Sequence, residues 1–532
     1  MIVKNIEGFR RIWMFPRNIR RIYPWKIAQI LSLLNELTEY EKWSGNQILQ
    51  NAFCKSLEKA SLKKTGIQYD PKSGGPRTYF SQLLGLGLIF MRDDKTVYLT
   101  KAGEDLADGV APLPILQNQL LKYQYPSVYG NNKNVRINPQ IKVKPFMFIL
   151  ELLMTRDIKY LTNEEIAIPV IYGHNRGCLE VCIEKILQIR NGVSLLDIID
   201  NKEQDLYLPR SNVTDLEKIN NIKDIGNTCK NYLQACCLIS VEDEAGREKI
   251  YFSEDAGNIV YSNLEHVDEF IDTSKGDESF QRSYGAWDRT KDTRLLVAEE
   301  SEQFKSPEDR IILSCFYELA GNEIIDHMPE DFIGKMHSDF GFPKTKIRDV
   351  IHSHLTNALN YFESTFIALS YSGAGGATEF EKAVCSLFEK KFYFKTKHTG
   401  QLKRTEGVGG FADVFAVALD EKHCAVIDTK ASARYQLPSK DYRAMMHSYI
   451  PNYLELTDNK KLKIEFGSFV AGGFRGNINS KLKSIKENSG VACSAVKASD
   501  LILIAKKGLG KEGQTELRKF LCKSKQLAFE DF

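Results

Sequence analysis

Three side chains in the later part of the sequence, Asp413, Asp428 and Lys430, have the types and spacing to hydrolyse a phosphodiester bond. They lie on two runs rich in β-forming residues, 411–418 and 424–430, separated by the polar turn Asp420-Glu421-Lys422. That pattern predicts two neighbouring strands. Residues two apart on a strand share a face, so Asp428 and Lys430 project together, and a paired strand brings Asp413 beside them. Two carboxylates form a hard oxygen site of the kind Mg²⁺ takes, since Mg²⁺ keeps several waters and needs few protein ligands. Asp413 and Asp428 would hold the ion, helped by the backbone carbonyl of Thr429. Lys430 would orient a water or stabilise charge developing on the phosphate. Asp-x-Lys alone is a common pairing on protein surfaces; the two apolar strands in this order give it meaning.

Those residues carry a family resemblance. Residues 371–532 resemble the cleavage domain of FokI-type restriction endonucleases, within the PD-(D/E)XK nuclease superfamily. The likeness extends through Val426-Ile427-Asp428-Thr429-Lys430-Ala431, Tyr435-Gln436-Leu437-Pro438 and the run from Phe469 to Asn477. It implies that Asp413, Asp428 and Lys430 are catalytic, that the cofactor is Mg²⁺, and that the domain is a mixed central sheet flanked by helices. Ala412 stands where the family usually has Pro before the first Asp. The superfamily often adds a Glu from the preceding helix, which points to Glu381, with Glu379 as the substitute. Thr378 followed three residues later by Glu381 is also a capping-box spacing, and both readings of Glu381 stand at this point. His447 reads as a surface or packing residue.

The rest of the chain must deliver this centre to its substrate. With 532 residues, the sequence is long enough for three or four domains, and 43% hydrophobic with 27% charged residues is ordinary for a globular protein. The net charge of +3 is small, but bases are concentrated locally. Residues 1–26 carry seven Lys or Arg against Glu7, a net +6, interleaved with Phe9, Trp13, Phe15, Tyr23 and Trp25. Residues 460–511 carry eleven against three acids, a net +8. Such stretches suit a phosphate backbone, and Arg10, Arg11, Arg17, Arg20, Arg21 and Arg475 are the candidate contacts with double-stranded DNA. The eleven cysteines show no CxxC pair, and no apolar run reaches a membrane span, so a reducing, cytoplasmic (bacterial) setting is expected.

Residues 26–110 have the rhythm of a winged helix: three helices, a two-stranded wing around 92–95, and a closing helix capped by Thr100. The third helix would enter the major groove, adding Arg77 and Thr78 to the DNA contacts. A second unit of the same style spans about 140–262. Its segment Lys159–Ile168 resembles the recognition region of AlwI-type endonucleases, whose relatives include large subunits that nick DNA when alone. The stretch 274–283 reads as linker, 307–366 as a helical connector, and Gly373-Ala374-Gly375-Gly376 as a hinge.

The expected organisation is therefore an α+β or α/β multidomain chain. Winged-helix recognition domains occupy 1–130 and 131–265, a linker and connector 266–370, and the nuclease 371–532. Such a chain would be a type IIS restriction endonuclease that reads a short asymmetric site and cuts to one side. One Asp-x-Lys centre per chain cuts one strand per engagement, so a second nuclease subunit is expected, either another copy or a separate small subunit. A transposon- or structure-directed nuclease, or a DNA-binding regulator with a decayed nuclease domain, would share the same elements.

Overall fold

The structure, a computed structural model, describes the chain apart from residues 1–8, 11, 17–18, 39–40, 61, 64–73, 129–135, 199–214, 245–246, 289–305 and 403–409. It divides into two compact units: Met1–Tyr317 with Glu330–His354, and Glu318–Pro329 with Leu355–Phe532.

The first unit begins with helices Pro24–Thr38, Gln47–Lys59 and Gly74–Gly85, then an antiparallel pair, Ile89–Met91 with Val97–Leu99. A bridge from Lys42 to Thr96 adds a third position to this small sheet. Helix starts follow local chemistry: Asn46 accepts from the Leu49 amide at 3.1 Å, and Thr100 accepts from Gly103 at 3.2 Å. The order repeats later. Helix Pro145–Met154, strand Leu161–Thr162 and helix Asp215–Ala235 precede the hairpin Ile239–Glu244 with Arg247–Phe252, and Leu161–Thr162 pairs on its open edge.

The two repeats share one core. Phe15 sits edge-on to Tyr123, Phe146 and Tyr232, with ring centroids 4.9, 5.0 and 4.9 Å away. Trp13 donates to the Pro169 carbonyl at 2.8 Å, and Gln82 to the Tyr232 hydroxyl at 2.7 Å. Trp13 and Phe15, which the sequence placed among the bases of an arm, are thus fully buried structural residues. The expected linker also needs correction. Residues Asp277–Tyr284 form a helix whose Phe280, Gln281 and Tyr284 are buried. Gln281 donates to Leu84 and Ile89 carbonyls, and Tyr284 to Gln119 at 2.7 Å, so two aromatics outweigh the polar composition around them.

The second unit is a six-stranded mixed sheet. Its strands are β1 (Lys395–His398), β2 (Val414–Val417), β3 (His423–Thr429), β4 (Lys463–Ala471), β5 (Ala492–Lys497) and β6 (Gln526–Leu527), lying side by side in that order. β3 to β6 run parallel; β1, β2 and β3 form an antiparallel meander. Helices α1 (Leu355–Ser370), α2 (Ala377–Lys390), α3 (Ser439–Ala444), α4 (Asn479–Ser489), α5 (Ala498–Lys506) and α6 (Gln514–Leu521) complete it.

Central strands covered on both faces should be almost wholly apolar, and β3 is buried from Cys424 to Thr429. Cys424, Val426, Phe415, Phe469 and Cys493 pack with Met445, Leu482 and Ile485 into one core. α2 covers β1, β2 and β3 with Phe380, Val384, Leu387 and Phe388. α1 packs on α2 and α5, its Phe366 5.4 Å from Phe380, so this helix of the expected connector belongs with the nuclease elements. The glycine run at Gly373–Gly376 is fastened rather than loose. Gly373, at φ +62°, donates its amide to Ala431 at 2.9 Å, and a Cβ on Gly376 would lie 2.4 Å from Ser372 Oγ.

Candidate active site

The site forms where β2 and β3 end beside α2. β2 pairs with β3 so that Val414 faces Ile427, and one step further along this register sets Asp413 against Asp428. Thr429 donates its amide (2.6 Å) and its hydroxyl (2.9 Å) to Asp413 Oδ2. The Asp413 backbone carbonyl accepts from Thr399 at 2.7 Å and Gly400 at 3.2 Å, so the residue is fixed at both ends. Its Oδ1, which takes no hydrogen bond among the described residues, faces Gly400. The point that a Cβ on Gly400 would occupy lies 2.8 Å from Asp413 Oδ1 and 2.8 Å from Glu381 Oε2. The two carboxylates therefore look into one small space that exists because residue 400 has no side chain.

Asp428 is buried, 1% exposed, and Lys430 Nζ stands 2.8 Å from its Oδ2, the shared face that two-residue spacing predicts. Apart from this ion pair, the buried Oδ2 has no partner among the described residues. Burial drives the Asp428 carboxyl upward from its ordinary value; Lys430 opposes the rise and Asp413 adds to it. Burial works against the Lys430 ammonium, but Asp428, Asp413 and Asp441 outweigh it and hold Lys430 above the ordinary lysine range. Asp441, on α3, lies 3.9 Å from Lys430 Nζ and accepts from the Tyr435 hydroxyl at 2.7 Å. The chain then makes a π turn over Met445–Tyr449, a distortion frequent at functional sites. Burial first, and then Asp428, pushes the Tyr449 hydroxyl above the ordinary tyrosine range.

Glu381 joins this cluster, and its capping reading is overturned. α2 starts at Ala377 with Gly376 at the cap position and no side-chain cap, which puts Thr378 inside the helix. Glu381 Oε2 instead meets His398 Nε2 at 2.6 Å. Burial is the main cause that raises the Glu381 carboxyl, and Asp413 adds to it against the pull of His398 and Lys430. Glu379, the substitute, is half-exposed on the same helix, and His447 is exposed. Sequence reasoning passed over His398, Gly400 and Asp441. His398 ends a short charged strand with no apolar alternation, and only its place just before the first carboxylate strand distinguished it.

The DNA-contact candidates lie elsewhere in the chain. Arg20 pairs with Asp224 at 3.0 Å on the surface of the first unit, and Arg21 is exposed there. Arg77 is exposed and Thr78 half-buried on helix Gly74–Gly85. Arg10 is described in its backbone, which pairs with Ile137; Arg11 and Arg17 lie outside the described residues. Arg475, in the second unit, follows β4, its amide donating to Tyr435 at 3.0 Å.

The centre fits a divalent cation by its own chemistry. It offers a buried Asp428 oxygen whose one partner is the Lys430 ammonium, an Asp413 oxygen that takes no hydrogen bond among the described residues, and a surplus of negative charge. Among the described residues no three His, Cys, Asp or Glu converge into a cage, and Mg²⁺ needs none. No helix among the described residues is long and apolar enough to cross a membrane.

Comparison with known proteins agrees with this geometry. Residues 341–527 match the family model for the FokI cleavage domain. No curated protein matches the chain. Among solved structures, the restriction endonuclease FokI aligns over 97% of this chain and 100% of its own at 14% identity and TM-score 0.30. FokI bound to DNA aligns over 99% and 100% at 13% and 0.29. The BpuJ1 endonuclease binding domain, in complex with pyrene- and phenanthrene-modified DNA, aligns over 48% and 90% at 15% and 0.33. Those superpositions are loose, and the family match over the site carries the assignment. Residues 341–527 are thus similar to the FokI cleavage domain, and the chain is a site-specific deoxyribonuclease of the restriction-endonuclease type.

Proposed function

We propose that this chain is a Mg²⁺-dependent type IIS restriction endonuclease, reading a short asymmetric site in double-stranded DNA through its first unit and hydrolysing a phosphodiester bond to one side with its second. The convergence of Asp413, Asp428, Lys430 and Glu381 carries this reading. Asp413 and Asp428, with the Thr429 carbonyl, would hold the cation, which when bound polarises the scissile phosphate and makes a water more acidic. The chain's own groups do the rest. Thr429 keeps one Asp413 oxygen occupied, so the other stays turned toward the open space. Lys430, protonated and anchored between Asp428 and Asp441, stabilises the negative charge that grows on the phosphate as water adds and the bond to the leaving sugar oxygen breaks. Glu381, raised by burial, stands on the other side of Asp413 as the acceptor for the water's proton.

Base reading falls to the two winged-helix-like repeats, with Arg77 and Thr78 on one third helix and Arg20, Arg21 and the basic arm toward phosphates. One such centre is present among the described residues, so one chain cuts one strand and duplex cleavage needs a second copy or a separate small subunit. Asp428→Ala tests the reading: it should retain specific binding and lose strand scission, and chelation of Mg²⁺ should do the same to the unaltered protein. Cutting by Asp428→Ala at the unaltered rate would remove the proposed centre. Sequencing the ends of a genomic digest then gives the site, offset and strand.

A further inference from the structure

The segment His398-Thr399-Gly400 touches the centre three times, and one of those contacts has no counterpart in the functional reading above. Thr399 fixes the carboxylate strand, its amide donating to Asp413 (2.7 Å) and its hydroxyl to Ala412 (2.6 Å). Gly400 leaves room for the two facing carboxylates. His398 reaches sideways to Glu381 at 2.6 Å.

That reach has a physical purpose. Glu381 sits on α2, and its carboxylate faces Asp413 across a short gap in a half-buried place. Two like charges in such a place repel, and a glutamate has three side-chain torsions with which to turn away. Something must hold it. The bond from His398 falls on the same oxygen, Oε2, that faces Asp413 across the Gly400 space. His398 is itself set by the sheet, because β1 pairs it with Val414, the residue next to Asp413. The imidazole is only 24% exposed, so water competes poorly for the contact.

We infer that His398 is a positioning residue for the cleavage reaction, locking Glu381 into the orientation that faces Asp413 and the attacking water. This inference rests on the nuclease reading and deepens it. It assigns no contact between His398 and DNA, so the step it serves is the chemical one.

The test is a double-mutant cycle read in single-turnover cleavage, with DNA affinity measured alongside. His398→Ala should slow cleavage roughly 10- to 100-fold at unchanged affinity, the range for losing a hydrogen bond to a charged group. His398→Gln, which keeps a donor of similar reach, should recover most of the rate. In a Glu381→Ala background, adding His398→Ala should cost no more than about twofold, because the group it positions is gone. Should His398→Ala fail to fold, His398→Asn, polar but too short to reach, takes its place. A His398 variant cutting at the unaltered rate overturns the inference, as does a loss that multiplies fully in the Glu381→Ala background. Asp428→Ala run in the same assay separates the two readings. If it still cuts, the nuclease centre is wrong; if it is inert while His398→Ala cuts normally, only the positioning role falls.

Discussion

Thr429 gives both of its donors, the amide at 2.6 Å and the hydroxyl at 2.9 Å, to a single oxygen of Asp413. The amide belongs to β3 and is set by the sheet; the hydroxyl is a choice of side chain. Thr429→Val keeps the shape and removes the second donor. Hydrogen bonds to a charged acceptor contribute about 1.5–3 kcal/mol, so cleavage should fall by about tenfold or more. Single-turnover rates with DNA affinity measured in parallel check this, and an unchanged rate would show that the amide alone fixes Asp413.

Gly400 has the opposite logic, since what it contributes is an absence. Its backbone lies outside the left-handed region, so alanine is conformationally acceptable there. The added methyl would nevertheless stand 2.8 Å from both the Asp413 and the Glu381 oxygens. Gly400→Ala is expected to fold with an unchanged melting temperature and to lose cleavage by at least about tenfold, because a 1 Å displacement of a reacting group costs up to about a hundredfold. Normal cleavage by this variant would mean that the space has no role in the reaction.

Stability in the first unit depends on one buried acid. Glu165, 2% exposed, pairs with Arg190 at 2.9 Å, and Arg190 also donates to the carbonyls of Ile158 (3.1 Å) and Tyr160 (2.5 Å). Arg190→Ala leaves the buried Glu165 carboxylate without its cation, holding only the Thr162 amide at 2.8 Å, and should cost about 3 kcal/mol, the lower end for breaking a buried pair because Arg190 is partly exposed. Denaturant midpoints measure it, and Glu165→Gln added to that variant should recover part of the loss.

Acid sensitivity is expected in the second unit. Burial raises Asp420, but His423, the Lys422 amide and Arg518 outweigh it and hold the carboxyl well below the ordinary range. A carboxyl whose folded pKa is depressed contributes stability above its unfolded value of about 3.9, and loses that contribution as pH falls toward the folded value. Denaturation compared at about pH 5 and pH 3 should show a smaller loss for Asp420→Asn than for the unaltered protein. Because Asp420 is one-third exposed, the difference should be modest.

The strand pair that carries Asp413, Asp428 and Lys430 was legible in the sequence because strand periodicity is short-range. Two-residue spacing puts Asp428 and Lys430 on one face, and the turn at Asp420–Lys422 fixes the partner strand. Glu381 was ambiguous because a capping box and a site glutamate present the same spacing; one residue in the helix start, Ala377 rather than Thr378, removes the capping reading. His398 was invisible because its meaning lies in a contact across seventeen residues that only the sheet creates. The linker misreading at 274–283 came from weighing composition over two anchoring aromatics, Phe280 and Tyr284. Likewise, no local pattern announces that Trp13 reaches Pro169, a contact that ties distant parts of the first unit into one core.

The chain enters the second unit twice, first at Glu318–Pro329 and again from Leu355. The first visit is not incidental, for the Ile324 amide donates to Ser386 on α2 at 3.0 Å, and α1 lines the same helix with Phe366. Anyone wishing to graft this cutter onto a foreign reader therefore faces a seam that no single scissor point provides. A transplant begun at residue 371 would arrive without the brace behind the Glu381 helix, whereas one that also carries 318–329 and 355–370 brings its own scaffold.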